Sequence, residues 1–373
     1  MFDAFPALPA DLVADLLSVE AIRGVFPCEG SKTLSLHITE PSAVDIASLC
    51  ARLGRPVPSE LRVSELLEQL EVLEGLATSE APELAASCVG LSRELARPSI
   101  QRRLSSLRTA QGLGLVQSLG DAIARRHGYQ TSASVHGGTP SCQWLDVGDP
   151  LLSSDRDAPS SFTLVRRTSW WGPGATGLSV AHGVLDLRPG SSLVRKTIRA
   201  KDNVRVSARP VPSGPRARGR VIAALLDENH DFAIVHFDDL PTDRTHPGVG
   251  ATKPSLVPRG YASRGARVQM WPSRVTAPQA GPRAGRLVSM GSVELRMRVG
   301  HQTFWHRYRR CYEVAPLGDY FSRGGDSGSL VVLDGMALGL VIGGLSDGSR
   351  SYVLPLDLSI DLSRRAFRAF FNT

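Results

Sequence analysis

The spacing of apolar residues changes near Gly128, and this change limits the folds that the chain can adopt. Before that point, apolar residues recur with the 3.6-residue period of amphipathic helices. After it, short apolar runs are separated by clusters of Gly and Pro, a pattern typical of the strands of an all-β sandwich or barrel. The sequence therefore predicts a helical domain over residues 1–130 and an all-β domain over 131–373.

Five stretches of the first domain have helical periodicity, namely 10–25, 42–54, 64–76, 82–95 and 99–126. In the second stretch, Ser42 and Asp45 resemble a capping box, and Gly54 is a typical stop signal. The apolar stripes of these helices are expected to form the core of one bundle.

Seven short apolar runs in the second domain are candidate strands, at 162–165, 220–226, 232–237, 266–270, 286–290, 329–333 and 337–342. Between the first two lies the segment 209–219, which is dense in Pro, Gly and Arg and has no periodicity. We expect this segment to be an exposed loop and a site of proteolytic nicking.

The net charge of +7 is unevenly distributed along the chain. Residues 1–90 carry five Lys or Arg against fourteen Asp or Glu, a balance of −9 that leaves +16 for the remainder. Only 6% of the residues are aromatic, and no basic motif interleaved with aromatic residues is found, so a nucleic-acid partner is not expected. Nor does any window approach the roughly 20 apolar residues of a membrane-spanning helix.

The N-terminus and the cysteines indicate where the chain functions. The first residues lack both a basic start and a continuous apolar segment, which argues against a secretory leader. The five cysteines are an odd number without a close pair, so neither a disulfide framework nor a zinc site is indicated. Both observations favour a reducing, cytoplasmic setting.

One run of the chain has the features of a catalytic serine. Ser327 lies in Gly324-Gly325-Asp326-Ser327-Gly328, directly before an apolar run. Glycines on both sides permit a tight turn that directs successive N–H groups into one concavity. The N–H groups of Gly325 and Ser327 are therefore expected to form an oxyanion hole.

A serine nucleophile also needs a base and an acid that orients the base. His182 directly follows an apolar run, where a strand is expected to end. Asp231 opens an alternating apolar run, where its carboxylate can be buried against the histidine. We therefore assign Ser327 as nucleophile, His182 as base and Asp231 as orienting acid.

At these residues the chain resembles the trypsin-like (chymotrypsin-fold) serine proteases, particularly bacterial members without disulfides. The matching blocks are Ala181-His182, the Asp-apolar-Ala-apolar-apolar block at 231–235 and Gly-Asp-Ser-Gly at 325–328, in the order of the family and with catalytic residues 49 and 96 positions apart. The segment 265–291 also looks like the hairpin that enters the family's second barrel. Over residues 131–373 the resemblance implies a double six-stranded β-barrel with a C-terminal helix, and no metal or cofactor.

Order along the chain also excludes an α/β-hydrolase, whose catalytic histidine follows its serine, because the last histidine here is His306. Within the trypsin-like reading, four residues compete for the base and acid roles: His230, His236, Asp238 and Asp239. The two histidines flank Asp231 on its own strand. The two aspartates follow the apolar run at 232–237, whereas the acid of the family precedes the corresponding run. Asp326 is assigned a structural role in shaping the site, because in many family members this residue pairs with a freed N-terminus.

By similarity, the base of the primary specificity pocket lies six residues before the serine, at Phe321, with Ser322 beside it. Gly343 and Gly344 are expected to form the pocket wall. Since neither residue at the base is acidic, a preference for Arg or Lys is disfavoured unless Asp319 enters the pocket. An apolar or small side chain is expected before the scissile bond.

The sequence thus predicts a serine endopeptidase that acts on protein substrates. Its helical domain is interpreted as a regulatory or recruitment module for an adaptor or effector protein. Intracellular bacterial proteases of this family fused to helical adaptors resemble parts of antiviral defence and cell-death systems, in which the protease activates an effector. Two alternatives stay open: a catalytically silent trypsin-like scaffold used for binding, and an inactive precursor that awaits a partner or a cut within 209–220. No activation sequence beginning Ile or Val and followed by Gly-Gly is found near residue 131.

Overall fold

The computed structural model describes residues 5, 7–28, 32–58, 98–135, 140–141, 151–153, 156–160, 163–167, 175–184, 195–199, 205–208, 217–238, 255–272, 281–299 and 302–356. The chain divides into two compact units, one of residues 1–8, 23–29 and 136–373 and the other of residues 9–22 and 30–135. The predicted helices at 64–76 and 82–95, and the predicted C-terminal helix, lie outside the described residues. Within those described, no helix is long and apolar enough to cross a membrane.

Three α-helices are described, α1 (Ala10–Leu17), α2 (Ile46–Leu53) and α3 (Pro98–Arg126), with short 3-10 helices at Pro41–Ala43 and Ala181–Gly183. Helix α2 begins after Asp45, whose carboxylate accepts a hydrogen bond from the N–H of Ser48 at 3.1 Å. Asp45, rather than Ser42, therefore caps this helix. The predicted stop at Gly54 is confirmed.

Eighteen strands are described: β1 (Ile22–Pro27), β2 (Thr33–Ile38), β3 (Gln130–Val135), β4 (Pro140–Ser141), β5 (Leu151–Ser153), β6 (Arg156–Ser160), β7 (Thr163–Arg167), β8 (Ala175–Ser179), β9 (Arg195–Arg199), β10 (Arg205–Ala208), β11 (Ala217–Asp227), β12 (His230–Phe237), β13 (Arg267–Met270), β14 (Arg283–Val299), β15 (Gln302–Pro316), β16 (Leu330–Leu333), β17 (Met336–Leu345) and β18 (Ser351–Pro355).

The unit of residues 9–22 and 30–135 combines helices with strands. Strands β2 and β3 pair in parallel, from Thr33 opposite Gln130 to Ile38 opposite Val135. The predicted helix at 10–25 is wrong beyond Leu17, because β1 begins at Ile22. The β-branched and aromatic residues of β1 favour an extended chain, and the Pro at its end cannot continue a helix. An entirely helical N-terminal domain is therefore not confirmed.

In the other unit, six strands pair in a closed antiparallel circuit in the order β13, β14, β15, β18, β17, β16 and back to β13. Strand β1 pairs with β14, where Gly24 lies opposite Val293 and Val25 opposite Ser292. The predicted hairpin at 265–291 is present as the β13–β14 pair. Closure leaves these six strands without a free edge along the circuit.

The second sheet of this unit has the order β6-β5-β10-β11-β12-β8-β7, and β9 pairs with β11. The described strands of this sheet do not close a circuit, so the predicted double six-stranded barrel is not confirmed. The predicted runs at 220–226 and 232–237 lie within β11 and β12. The last residues of the predicted loop at 209–219 instead begin β11 at Ala217, and residues 209–216 lie outside the described part of the chain.

One cluster of buried apolar side chains spans both of these sheets. From the second sheet it includes Leu178, Val221, Leu225, Phe232 and Ile234, and from the first Leu295, Tyr308, Leu330, Ile342 and Tyr352. Burial of this much apolar surface is the main stabilising contribution available to the unit. The chain segments that contain His182, Asp231 and Ser327 all contribute residues to this cluster or adjoin its members.

The close approach of β1 to β14 yields a test of this packing. A Cβ atom on Gly291 would lie 2.2 Å from the backbone oxygen of Val25 and 2.6 Å from the ring of Phe26. Gly291→Ala is therefore expected to lower the free energy of unfolding by about 1–3 kcal/mol through overpacking, seen as a lower urea midpoint. The control is Gly318→Ala, where an added Cβ meets no atom within 4 Å. Equal midpoints for the two variants would contradict the pairing.

Candidate active site

The pairing of β8 with β12 brings His182 to the beginning of β12. Ser179, the last residue of β8, lies opposite Ala233 in antiparallel register. Continuing beyond β8, the chain runs toward the start of β12 and turns through the 3-10 helix that contains His182. Asp231 is the second residue of β12, and both side chains are buried there.

His182 and Asp231 are joined by two hydrogen bonds. The ring Nδ1 of His182 lies 2.5 Å from Oδ2 of Asp231, and the backbone N–H of His182 donates to Oδ1 at 2.9 Å. An ionised carboxylate only accepts, so Nδ1 carries the ring proton, and Nε2 of a neutral imidazole is left as an acceptor. This is the tautomer that a general base needs.

The environment of Asp231 keeps its carboxyl group ionised. Complete burial by itself raises the pKa of Asp231, but the attraction of His182 and the hydrogen bonds from His182 and Tyr308 together outweigh it, so that the pKa lies below its ordinary value. The charge is thus present where it orients the imidazole.

The turn that carries Ser327 has the backbone shape that its glycines permit. Gly325 and Gly328 have φ angles of 88° and 92°, in the left-handed region that other residues avoid. The turn is held by hydrogen bonds from the N–H of Gly328 to the oxygen of Val341 and from the N–H of Ser329 to the oxygen of Asp326, each 2.8 Å. Ser327 is buried, and its Oγ lies 3.4 Å from the carbonyl oxygen of Ile342.

Close neighbours of all three predicted catalytic residues belong to the same apolar cluster. It includes Ala181 beside His182, Phe232 beside Asp231, and Leu330 and Ile342 near Ser327. The contacts described above join His182 to Asp231 directly, whereas those of Ser327 are to β17. The joint action of the three residues stays a prediction.

Asp326, the residue before the serine, is fully buried and pairs with an internal cation. Its Oδ2 accepts hydrogen bonds from the guanidinium of Arg283 at 2.7 Å and from the N–H of Arg323 at 2.9 Å. The guanidinium of Arg283 also lies over the ring of Tyr320, 4.4 Å from its centroid. Asp326 therefore has a cationic partner on β14.

The residues predicted for the substrate pocket lie in different surroundings. The ring of Phe321 is fully buried, in the same cluster as Val314, and close to Gly285. The hydroxyl of Ser322 is bonded to that of Ser351 at 2.7 Å. Nothing in these contacts tests the pocket, so its assignment stays a prediction.

Gly343 and Gly344, the predicted pocket wall, belong to β17. Gly343 lies opposite Tyr352, and Gly344 lies opposite both Ser351 of β18 and Ser141 of β4. Asp319, the alternative acidic pocket residue, is exposed, and lines a surface cavity with Arg283 and Tyr320.

The competing residues have interactions elsewhere. His230 pairs with Asp227 through Nδ1 at 2.7 Å, and Nδ1 of the buried His236 lies 3.0 Å from the hydroxyl of Thr176. Asp238 lies 3.2 Å from Nε2 of His236. Asp239 lies outside the described residues.

One partner of the predicted acid was not predicted from the sequence. The hydroxyl of Tyr308, on β15, donates to Oδ2 of Asp231 at 2.6 Å, and the ring of Tyr308 is fully buried. Strand β15 was not predicted, because its exposed and buried positions do not follow residue type: the apolar Trp305 is exposed and the polar His306 is buried. The available signal was the number of aromatic residues in the segment, which favours a strand.

No family model and no curated protein matches the chain. Solved structures with a similar fold include Thermobifida fusca Protease A, which is 16% identical with a TM-score of 0.35 over 60% of this chain and 94% of that one. A second is Rv3671c from M. tuberculosis, which is 17% identical with a TM-score of 0.32 over 56% of this chain and 80% of that one. A third is the MamO protease domain from Magnetospirillum magneticum, which is 15% identical with a TM-score of 0.30 over 53% of this chain and 84% of that one. The structures that match at this level include trypsin-like serine proteases. TM-scores this low carry no weight for activity, which depends on the residues of this chain.

The Arg283–Asp326 pair is expected to stabilise the fold, because loss of the guanidinium removes the cation bound to a fully buried carboxylate. Arg283→Met should lower the free energy of unfolding by about 3–5 kcal/mol in urea denaturation. Asp326→Asn in the same background should recover part of the loss. Arg286→Met, on the exposed face of the same strand, should change stability by no more than about 0.5 kcal/mol. A similar loss in both arginine variants would rule out a special role for the pair.

His306 makes stability depend on pH. Burial is the main reason that its pKa lies below the ordinary 6.5, so the unfolded chain binds a proton in a pH range where the folded chain does not. Stability should therefore decrease as the pH falls from about 7 to about 5, because protonation favours the unfolded chain. His306→Gln should flatten this decrease in thermal unfolding measured across that range, and parallel curves for the two proteins would contradict it.

Proposed function

We propose that this chain is a serine endopeptidase that hydrolyses peptide bonds of protein substrates. The observation that carries the proposal is the buried pair in which Nδ1 of His182 lies 2.5 Å from Asp231. A buried histidine with its Nδ1 bound to a carboxylate is the arrangement that prepares Nε2 to accept a proton. A glycine-flanked serine turn over the same apolar cluster supports Ser327 as the donor of that proton.

In the proposed acylation, Oγ of Ser327 bonds to the substrate carbonyl carbon while Nε2 of His182 takes the hydroxyl proton. The negative charge that develops on the carbonyl oxygen is held by the N–H groups of Gly325 and Ser327. When the C–N bond breaks, His182 returns the proton to the leaving amine. A water molecule then attacks the acyl-enzyme through the same proton transfers. This step releases the carboxylic acid product and restores Ser327. Asp231 stays ionised and orients the imidazole throughout.

The substrate is held, in this proposal, with the side chain before the scissile bond near Phe321 and Ser322 and against Gly343 and Gly344. None of the four carries a charge, which supports an apolar or small side chain at that position. The Arg283–Asp326 pair supports a serine turn that forms without a new N-terminus. Proteolytic activation is then unnecessary.

We assign residues 1–130 the role of a regulatory or recruitment domain. The charge balance of −9 over residues 1–90 supports binding of a basic surface on an adaptor or effector protein. In this proposal the protease works in a reducing, cytoplasmic setting, which the odd number of cysteines supports, and activates an effector in a bacterial defence or cell-death response. The pathway rests on the family resemblance alone.

A fluorophosphonate probe tests the activity, because it reacts with an activated serine. The wild-type protein should be labelled and Ser327→Ala should not. The matched control Ser329→Ala, a buried serine two residues away, should be labelled like the wild type. Asp231→Asn should slow labelling by on the order of 10³- to 10⁴-fold, because the imidazole then loses the carboxylate that selects its tautomer.

Three other outcomes have defined meanings. Wild-type protein that stays unlabelled under all conditions would instead identify a silent binding scaffold. Labelling that appears only after a partner is added or the chain is nicked within 209–220 would identify a precursor. Labelling that persists in Ser327→Ala would place the nucleophile elsewhere.

A further inference from the structure

The Asp231 carboxylate is shared between two parts of the fold. Among the described residues, the donors to its oxygens are the backbone N–H and the ring Nδ1 of His182 and the hydroxyl of Tyr308. The ring nitrogen and the hydroxyl donate to the same oxygen, Oδ2, at 2.5 Å and 2.6 Å. His182 follows β8 in the second sheet, whereas Tyr308 belongs to β15 in the first.

The position of Tyr308 is determined on both sides along β15. Two residues before it, the ring of His306 packs edge-to-face on the tyrosine ring, with centroids 4.7 Å apart. Nε2 of His306 in turn lies 3.2 Å from the carbonyl oxygen of Asp227. One residue after it, the N–H of Arg309 donates to the carbonyl oxygen of Glu228 at 2.8 Å.

These contacts attach β15 to the turn between β11 and β12. Because that turn leads directly into Asp231, the tyrosine hydroxyl and the carboxylate are held by the same short segment of chain. A buried hydroxyl with so little freedom donates in one direction only. It therefore restricts rotation of the carboxylate about its side-chain axis.

We infer that Tyr308 is a positioning residue for the proposed serine protease activity, acting on the base through Asp231. It holds Oδ2 where Nδ1 of His182 meets it, and it takes up part of the carboxylate charge. The inference rests on the proposed function. Tyr308 is fully buried against Asp231, so its effect is expected in the behaviour of His182.

Removal of the hydroxyl has a predictable sign. Without it, His182 alone donates hydrogen bonds to the Asp231 carboxylate, whose negative charge then favours the imidazolium form of His182 more strongly. The pKa of His182 should rise, and less of the histidine should be an unprotonated base at neutral pH. The other titratable groups nearby are His306 on β15 and, close to His306, Glu228 in the turn.

The test compares Tyr308→Phe, which keeps the ring against His306 and deletes one oxygen, with the wild type. NMR titration of His182 should show a higher pKa, and fluorophosphonate labelling near neutral pH should be about tenfold slower, a typical effect for a lost hydrogen bond to a charged group. The matched control is Tyr312→Phe on the same strand, whose ring packs on Phe5. It should leave both measurements unchanged.

Replacement of Tyr308 by 3-fluorotyrosine provides a second variant that preserves the hydroxyl and makes it a stronger donor. The pKa of His182 should then shift downward, opposite to the Tyr308→Phe change, which a merely structural role would not produce. This variant decides the question if Tyr308→Phe does not fold.

The NMR readout separates this inference from the proposed function, because it needs no catalysis. If the wild-type protein reacts with the fluorophosphonate but the pKa of His182 is unchanged in both Tyr308 variants, the positioning role is overturned and the protease stays in place. If the wild-type protein reacts with the fluorophosphonate under no condition but the His182 pKa still shifts in opposite directions in the two variants, Tyr308 positions His182 and the protease is refuted.

Discussion

A carboxylate buried without solvent at the start of β12 is the constraint on which the candidate site depends. An isolated buried charge is unfavourable by several kcal/mol, so the fold has to supply donors to Asp231. It does so from two directions, through His182 after β8 and through Tyr308 on β15. The two sheets therefore meet at this residue through polar contacts as well as through their common apolar cluster.

Asp326 presents the same physical problem and has a different solution. Its partner is the guanidinium of Arg283, on a strand of the closed six-stranded circuit. The turn that carries Ser327 is thereby attached to β14, while its backbone is attached to β17. Two buried acids, each bonded to a residue of a distant strand, hold the elements around the predicted nucleophile and base.

Much of this arrangement was predictable because its signals are local. The glycines around Ser327 specify a turn, and the alternating apolar residues after Asp231 specify a strand that begins with an acid. The long hairpin of β14 and β15 was harder to predict from the sequence. Its register shifts between Leu287 and Ser289 and again between Gly291 and Val293. Each bulge changes which residues lie opposite one another, so the face that Tyr308 presents cannot be counted from the sequence.

The sequence by itself determined the order of the His182, Asp231 and Ser327 blocks, the glycine turn and the change from helical to strand-like spacing of apolar residues. These depend on residue type and on spacing over a few positions. Only the tertiary structure decided that β1 pairs with β14, that Arg283 neutralises Asp326 and that Tyr308 reaches Asp231. The last two contacts join residues 43 and 77 positions apart. Contacts at such separations follow from sheet register and packing, which arise only when the whole unit is assembled.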